Sequence, residues 1–132
     1  MRISKLQVAA HDLDVGKTVN EVIGAISQTR TLNEEDGYRV RLVLNELLNN
    51  IVEHSTAGSI EVSVSLGPNM LHLIITDDGQ GFEYADLLNQ DVTTGEALMQ
   101  DSGRGVFIVQ TIAERLHYNN AGNSVEVDLS LG

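Results

Sequence analysis

The pattern of apolar and polar side chains predicts strands in four parts of the chain. Residues 60–66 alternate between aliphatic and polar side chains, which is the pattern of a strand with one buried face. Residues 70–76 form a nearly continuous apolar run, as expected for a more central strand. The turn signal Gly67-Pro68-Asn69 between these runs predicts an antiparallel hairpin. Residues 125–131 alternate in the same way, and a further strand is predicted at about residues 2–9.

Apolar side chains that recur at three- and four-residue steps predict three helices. The second helix begins after Asn33, because a capping side chain is followed there by acidic residues at the positive end of the helix dipole. It runs to about His54, and the third helix follows Gly105. The apolar stripes are Val15, Val19, Val22 and Ile26 in the first helix, Val40, Leu44, Leu47, Leu48 and Ile51 in the second, and Val106, Val109, Ala113 and Leu116 in the third.

The order of these elements predicts the fold class. It runs strand, helix, helix, hairpin, irregular segment, helix, hairpin. Because strands and helices do not alternate regularly, a doubly wound parallel sheet is disfavoured. The economical arrangement is an α/β two-layer sandwich, in which helices pack on one face of a mixed, mostly antiparallel sheet.

Composition and charge narrow the possible functions. The chain has 132 residues, of which 42% are hydrophobic, as in one soluble globular domain. Its 19 acidic and 8 basic side chains give a formal charge of −11. Such a surface repels phosphate backbones, so direct nucleic-acid binding is disfavoured and a basic protein partner is favoured. Solubility alone is the other explanation of the acidity.

Three absences in the sequence bear on where the protein works and on its chemistry. No apolar run approaches the roughly 18 residues of a membrane span, so we expect no membrane insertion. The first residues, Met1-Arg2-Ile3-Ser4, lack the apolar region of a signal peptide, and we expect a cytoplasmic protein. The sequence contains no cysteine, which excludes disulfides and thiolate metal sites.

The second helix carries the first candidate site residues, Glu46 and Asn50. They are four positions apart and therefore lie on the same side of the helix, near the edge of its apolar stripe. An amide oxygen suits Mg²⁺, a hard cation that prefers oxygen ligands. A carboxylate one turn away can accept a proton from an attacking hydroxyl or water. A solvated helix edge is the ordinary alternative for this pair.

An acidic glycine turn, Asp77-Asp78-Gly79-Gln80-Gly81, leaves the buried strand of the first hairpin. Asp77 stands at the end of the strand, where it can accept a hydrogen bond from a ligand N–H such as the amino group of adenine. Gly79 and Gly81 allow backbone angles and a close approach that side chains prevent. An ordinary Asp-Gly turn, or a metal site formed by the two adjacent acids, are the alternatives.

A second glycine turn, Gly103-Arg104-Gly105, precedes the third helix. Glycines before a helix N-terminus expose backbone N–H groups and direct the positive end of the dipole toward an anion such as phosphate. The Lys-Ser/Thr pair of a Walker sequence is absent. Arg104 is suited to contact a phosphate or a neighbouring acid. Residues 83–102 between the two turns are interpreted as a lid over a nucleotide, or alternatively as a mobile surface loop.

In order and spacing, these motifs resemble those of the histidine-kinase-like ATPase superfamily. The chain is most similar to the small branch of bacterial anti-sigma-factor serine/threonine kinases, over nearly its whole length. The resemblance implies a single ATPase domain over residues 1–132 with the Bergerat ATP-binding fold. The family's Glu-x-x-x-Asn, Asp-x-Gly-x-Gly and Gly-x-Gly boxes are matched by Glu46 and Asn50, by Asp77, Gly79 and Gly81, and by Gly103 and Gly105.

The resemblance also implies a role for each of these residues. Asn50 would bind Mg²⁺ and Glu46 would act as the general base. Asp77 would recognise the adenine of ATP. The remaining cofactor-binding residues are those of the adenine pocket and the phosphate turn: Gly79, Gly81, Gly103, Arg104 and Gly105.

The function implied by the resemblance is that of an ATP-dependent serine/threonine protein kinase that is also an anti-sigma factor. Its partners would be a sigma factor, which it sequesters, and an antagonist protein, which it phosphorylates, and it would form a homodimer. Two alternatives stay open at this point. One is a nucleotide-binding regulatory module without turnover, and the other is the ATPase module of a sensor histidine kinase or a phosphatase fusion.

Overall fold

The molecule is built on one antiparallel sheet of five strands. The computed structural model describes residues 2–9, 14–54, 58–78, 108–119 and 124–132, with only the backbone of residues 53 and 54. The strands are β1 Arg2–Ala9, β2 Ser59–Leu66, β3 Met70–Asp77, β4 Arg115–Tyr118 and β5 Ser124–Ser130. The long helices are α1 Val15–Thr29 and α2 Glu34–His54, and residues 108–112 are also helical.

The strands follow one another across the sheet in the order β1-β2-β3-β5-β4. The predicted β2–β3 hairpin is confirmed: its ladder runs from Ile60 opposite Asp77 to Leu66 opposite Leu71, and the N–H of Gly67 closes the turn. All four pairings in the described part of the chain are antiparallel. The predicted α/β class with a mostly antiparallel sheet is confirmed.

One face of the sheet and the two long helices enclose the core. Every second residue of β2, β3 and β5 is buried, and these side chains join the apolar stripes of α1 and α2 in one cluster. Each fully buried aliphatic side chain contributes roughly 1.5–3 kcal/mol through the hydrophobic effect. The opposite face carries polar pairs, including His72 with Asp128 and Arg115 with Glu126 at 3.1 Å.

Capping side chains fix where the two helices begin. The N–H of Asp36 donates to Oδ1 of Asn33 at 2.7 Å, and α2 runs from there to His54, so both predicted ends of this helix are confirmed. Asp14 caps α1 by accepting the N–H of Lys17 at 3.0 Å. Because the start and the buried stripe of α2 are fixed, the direction in which each of its polar side chains points is fixed as well.

The third helix ends earlier than its apolar stripe predicts. In the described residues it covers 108–112, and the N–H of Ala113 makes its last helical bond. The next N–H, that of Glu114, donates to the carbonyl oxygen of Asp128 in β5 at 2.8 Å. The prediction that the helix includes Leu116 was wrong, because pairing with β5 draws that residue into β4. Long-range pairing here overrides a local pattern that fits a helix.

A buried ion pair joins the start of α2 to the residues after β5. Arg39 donates to Oδ1 of Asp36 at 2.6 Å and to the carbonyl oxygen of Ser130. The N–H of Gly132 donates to the other oxygen of Asp36 at 3.0 Å, and Arg30 donates to the carbonyl oxygen of Gly132. Burial alone raises the pKa of Asp36, but these hydrogen bonds and the charges of Arg39 and Arg30 outweigh it and lower that pKa.

Candidate functional site

Asn50 is buried within the inner face of α2. Its side chain is 3% exposed and lies among the buried positions Leu47 and Ile51. Its Nδ2 has no hydrogen-bond partner among the described residues. An unpaired buried amide costs about 1–3 kcal/mol, so this position holds a polar group that packing alone does not explain. A solvated helix edge therefore does not describe Asn50.

Glu46 lies one turn before Asn50 and is half-buried. This places a carboxylate where it is reachable from solvent and is also held by the packing of α2. The neighbouring amides point elsewhere: Asn49 is exposed, and Nδ2 of Asn45 donates to the carbonyl oxygen of Arg41 at 2.9 Å. Of the two residues singled out from the sequence, Asn50 is buried in the inner face of α2, and Glu46 is half-buried one turn before it.

Asp77 ends β3 with its side chain on the helix-facing side of the sheet. It is 4% exposed and continues the buried alternation of Leu73 and Ile75. Only four polar or charged side chains in the described residues are buried to this degree: Thr18, Asp36, Asn50 and Asp77. Asp36 belongs to the ion pair at the start of α2. Asn50 and Asp77 are both residues that the sequence assigned to the site.

The chain connectivity brings the end of α2 to the end of β3. His54 and Gly58 are four positions apart, so their Cα atoms are separated by at most about 14 Å. Gly58 leads directly into β2, whose first residues pair with the last residues of β3. Asn50 lies one helical turn before His54. Asn50 and Asp77 therefore occupy the same end of the helix–sheet interface.

Sequence reasoning missed the role of Asp78. Its Oδ1 accepts the backbone N–H of Gly58 at 2.7 Å and that of Ser59 at 2.9 Å. The hydrogen bond from Ser59, followed by that from Gly58, lowers the pKa of this exposed carboxyl. These partners are 20 and 19 positions away in the chain, so no local pattern indicates them. Asp78 is thus bonded to the start of β2, which neither alternative for the two adjacent acids predicts.

Residues 79–107, which include the glycines of both turns and the segment between them, lie outside the described residues. The roles assigned to them from the sequence stay predictions. This holds for residues 83–102, for Val106 in the third helix, and for the ligand-binding positions Gly79, Gly81, Gly103, Arg104 and Gly105.

The described donors suit magnesium in its nucleotide-bound form. Mg²⁺ in nucleotide sites takes one or two protein oxygens and completes its shell with phosphates and water. The amide of Asn50 offers an oxygen, and its unpaired nitrogen indicates that the described residues do not engage the group fully. The described part of the chain contains no group of three or more His, Asp or Glu side chains placed to hold a metal, and a nucleotide-bound ion does not need one.

None of the described helices is long and apolar enough to cross a bilayer.

Comparison with known proteins identifies the family. An anti-sigma F factor, present in two strains of Clostridium kluyveri, is 23% identical over 117 residues, which cover 83% of this chain and 82% of that protein. The Acinetobacter baumannii histidine kinase AdeS shares the fold, with a TM-score of 0.53 and 20% identity over 100% of this chain and 68% of that chain. Residues 9–129 match the model of a protein family, which is described as the histidine kinase-like ATPase domain. The chain therefore belongs to the histidine kinase-like ATPase domain family.

Proposed function

We propose that this protein is an ATP-dependent serine/threonine protein kinase that acts as an anti-sigma factor in the cytoplasm. Membership of an ATPase family implies ATP binding. The similarity to an anti-sigma F factor supports the choice of partners, which are a sigma factor and an antagonist protein. The observation that carries the proposal is the buried, incompletely bonded amide of Asn50, one turn after Glu46 on α2.

In this proposal each site residue has one task. Asn50 binds Mg²⁺, which neutralises charge on the phosphates when it is bound. Asp77 accepts the amino N–H of adenine. The glycine turns complete the site, with Gly79 and Gly81 beside the adenine and Gly103, Arg104 and Gly105 at the phosphates.

Glu46 is the proposed general base for phosphoryl transfer. It takes the proton from a serine or threonine hydroxyl of the antagonist, and the hydroxyl oxygen forms a bond to the γ-phosphorus of ATP. The bond between the γ-phosphorus and the bridging oxygen breaks, and ADP leaves. Positioning and charge neutralisation account for most of the rate enhancement in reactions of this kind.

The partners follow from the same proposal. The chain sequesters a sigma factor in one state and phosphorylates the antagonist in another, and it works as a homodimer. The formal charge of −11 on this chain is compatible with binding to a partner protein that has a basic surface, and it opposes direct binding to nucleic acid. A nucleotide-binding protein without turnover is the alternative that the following experiment distinguishes.

The decisive test is phosphorylation of an antagonist protein in the presence of Mg-ATP, measured as phosphoserine or phosphothreonine by mass spectrometry. We expect Glu46→Ala to lose phosphorylation and keep ATP binding, because the substitution removes the proposed proton acceptor and leaves the proposed Mg²⁺ and adenine ligands in place. Glu21→Ala changes an exposed glutamate of α1 and serves as the matched control. Undiminished phosphorylation by Glu46→Ala would remove the base assignment. ATP binding without any phosphorylation by the unsubstituted chain would favour the alternative function.

A second test addresses the nucleotide site itself. Asn50→Ala and Asp77→Ala are each expected to abolish the rise in melting temperature that Mg-ATP gives. Loss of a hydrogen bond to a charged group costs about 1.5–3 kcal/mol, which is about ten- to hundredfold in affinity. A thermal shift that is unaltered in both variants would rule out the proposed site.

A further inference from the structure

We propose that Asp78 is a positioning residue of the nucleotide site. Its carboxylate fastens the chain that follows α2 to the end of β3, and thereby fixes Asp77 relative to Asn50. The inference rests on the proposed function, and it adds to it a residue that does not contact the nucleotide.

Three hydrogen bonds join Asp78 to the start of β2. Its Oδ1 accepts two backbone N–H groups, those of Gly58 at 2.7 Å and Ser59 at 2.9 Å. Its own N–H donates to the carbonyl oxygen of Ser59 at 3.2 Å. The side chain of Asp78 therefore binds two N–H donors of the neighbouring segment, and its backbone N–H binds a carbonyl oxygen of the same segment, at the last point where β2 and β3 lie side by side.

These bonds lie where the end of β3 meets the chain that follows α2. The β2–β3 ladder ends with Ile60 opposite Asp77, and Asp78 is the next residue of the chain. On the other side, Gly58 is four positions after His54, the last residue of the helix that carries Asn50. The carboxylate thus joins the two segments that present the adenine acceptor and the magnesium ligand. Without it, the junction would rest on the backbone bond from Asp78 to Ser59 and on the last pair of the β2–β3 ladder.

The local geometry provides a control for steric effects. A Cβ added to Gly58 would lie 3.6 Å from Oδ2 and 3.8 Å from Oδ1 of Asp78, which is ordinary van der Waals contact. Gly58→Ala keeps the N–H donor and is expected to bind nucleotide as the unsubstituted chain does. A second control is Asp14→Ala, which removes a carboxylate bonded to a backbone N–H at the start of α1.

The test is the equilibrium affinity for Mg-ATP, measured by titration calorimetry, together with the free energy of unfolding in urea. We expect Asp78→Ala to weaken binding about tenfold or more, in line with the loss of hydrogen bonds to a charged group. Asp14→Ala is expected to lose stability and to keep its affinity. Equal losses of affinity in Asp78→Ala and Asp14→Ala would overturn the proposal, because reduced global stability would then explain both.

Two conservative variants separate geometry from charge. Asp78→Asn keeps an acceptor oxygen in place and loses the charge, whereas Asp78→Glu keeps the charge and moves the oxygen. A positioning role predicts that Asp78→Asn binds Mg-ATP more tightly than Asp78→Glu. This comparison decides the question even if Asp78→Ala does not fold, and equal affinities or the reverse order would overturn the inference.

The failure of this inference is distinguishable from the failure of the proposed function. If the unsubstituted chain binds Mg-ATP and Asp78→Ala binds it equally well, only the positioning role is wrong. If the unsubstituted chain does not bind Mg-ATP, the proposed function is wrong and the role of Asp78 falls with it.

Discussion

Among single side chains, Asn50 is the clearest case of a buried polar group that does not favour the stability of the free protein. It occupies a core position of α2, and its amide nitrogen has no partner in the described part of the chain. An apolar side chain at this position would avoid the cost of burying an unpaired N–H. Functional sites commonly retain such unfavourable groups, because ligand contact requires them.

Replacing this amide is expected to make the free protein more stable. Asn50→Leu fills a similar volume and removes the unpaired group, so the free energy of unfolding in urea should rise by about 1 kcal/mol. The same variant should lose the thermal shift given by Mg-ATP. Asn49→Leu alters an exposed neighbour and should change neither quantity. A variant at Asn50 that is less stable than the unsubstituted chain would contradict the interpretation.

Among the elements, α2 is held at its start by the ion pair and at its end by the connection to β2. Asp36 sits in the first turn of α2 and bonds both Arg39 and the backbone of Gly132. Breaking such a buried pair leaves an uncompensated charge and typically costs about 3–5 kcal/mol. The register of α2 against the sheet, and with it the position of Asn50, depends on this contact.

The contribution of Asp36 should depend on pH. Its folded-state pKa is lowered below the ordinary value of 3.8, so its stabilising effect is present above that value and is lost as the pH falls through the folded-state pKa. Asp36→Asn is expected to cost about 3 kcal/mol at neutral pH. The difference from the unsubstituted chain should shrink below about pH 4, as followed by urea unfolding across pH. Glu35→Gln is the exposed control, and a pH-independent difference would contradict the assignment.

Local patterns predicted most of these elements correctly. The alternation in residues 60–66 and 125–131 reflects one buried and one polar face, a property that each strand carries in its own sequence. The start of α2 at Asn33 is equally local, because the capping bond spans three residues. The family motifs on α2 and at the end of β3 singled out Asn50 and Asp77; the structure buries both, and their roles in a site stay predictions.

The features that the sequence did not reveal depend on distant partners. Leu116 fits a helical stripe, and only the pairing of β4 with β5 makes it a strand residue. Asp78 bonds to Gly58, which lies 20 positions away in the chain. Asp36 bonds to Gly132, which lies 96 positions away. No periodicity records such contacts, so they are harder to predict from the sequence than the local elements are.

For the whole molecule, the excess of acidic side chains governs the response to salt. The described ion pairs at the surface, such as Lys5 with Glu61 at 3.7 Å, contribute little each. A formal charge of −11 repels itself most strongly in the folded state, where the charges are closest. Screening of this repulsion should therefore outweigh the weakening of the surface pairs.

The free energy of unfolding is accordingly expected to rise with NaCl. Between about 0.01 M and about 0.15 M salt the Debye length falls from about 30 to about 8 Å, and the gain should be on the order of 1 kcal/mol. Urea unfolding at several NaCl concentrations measures it, with sucrose as an uncharged control for general solute effects. A fall in stability over this range would show that attractive pairs dominate the surface.

The placement of β5 between β3 and β4 also has a consequence for the time course of folding. The β2–β3 hairpin and the β4–β5 hairpin join residues that are close along the chain. The pairing of β3 with β5, which joins the two hairpins, connects residues that are distant along the chain. Thr76 contacts Ser124, 48 positions away, and His72 contacts Asp128, 56 positions away. Closing a long loop is entropically costly before any contact repays it, and such pairings form slowly. We expect the two hairpins to form early and their docking along β3 and β5 to limit the folding rate.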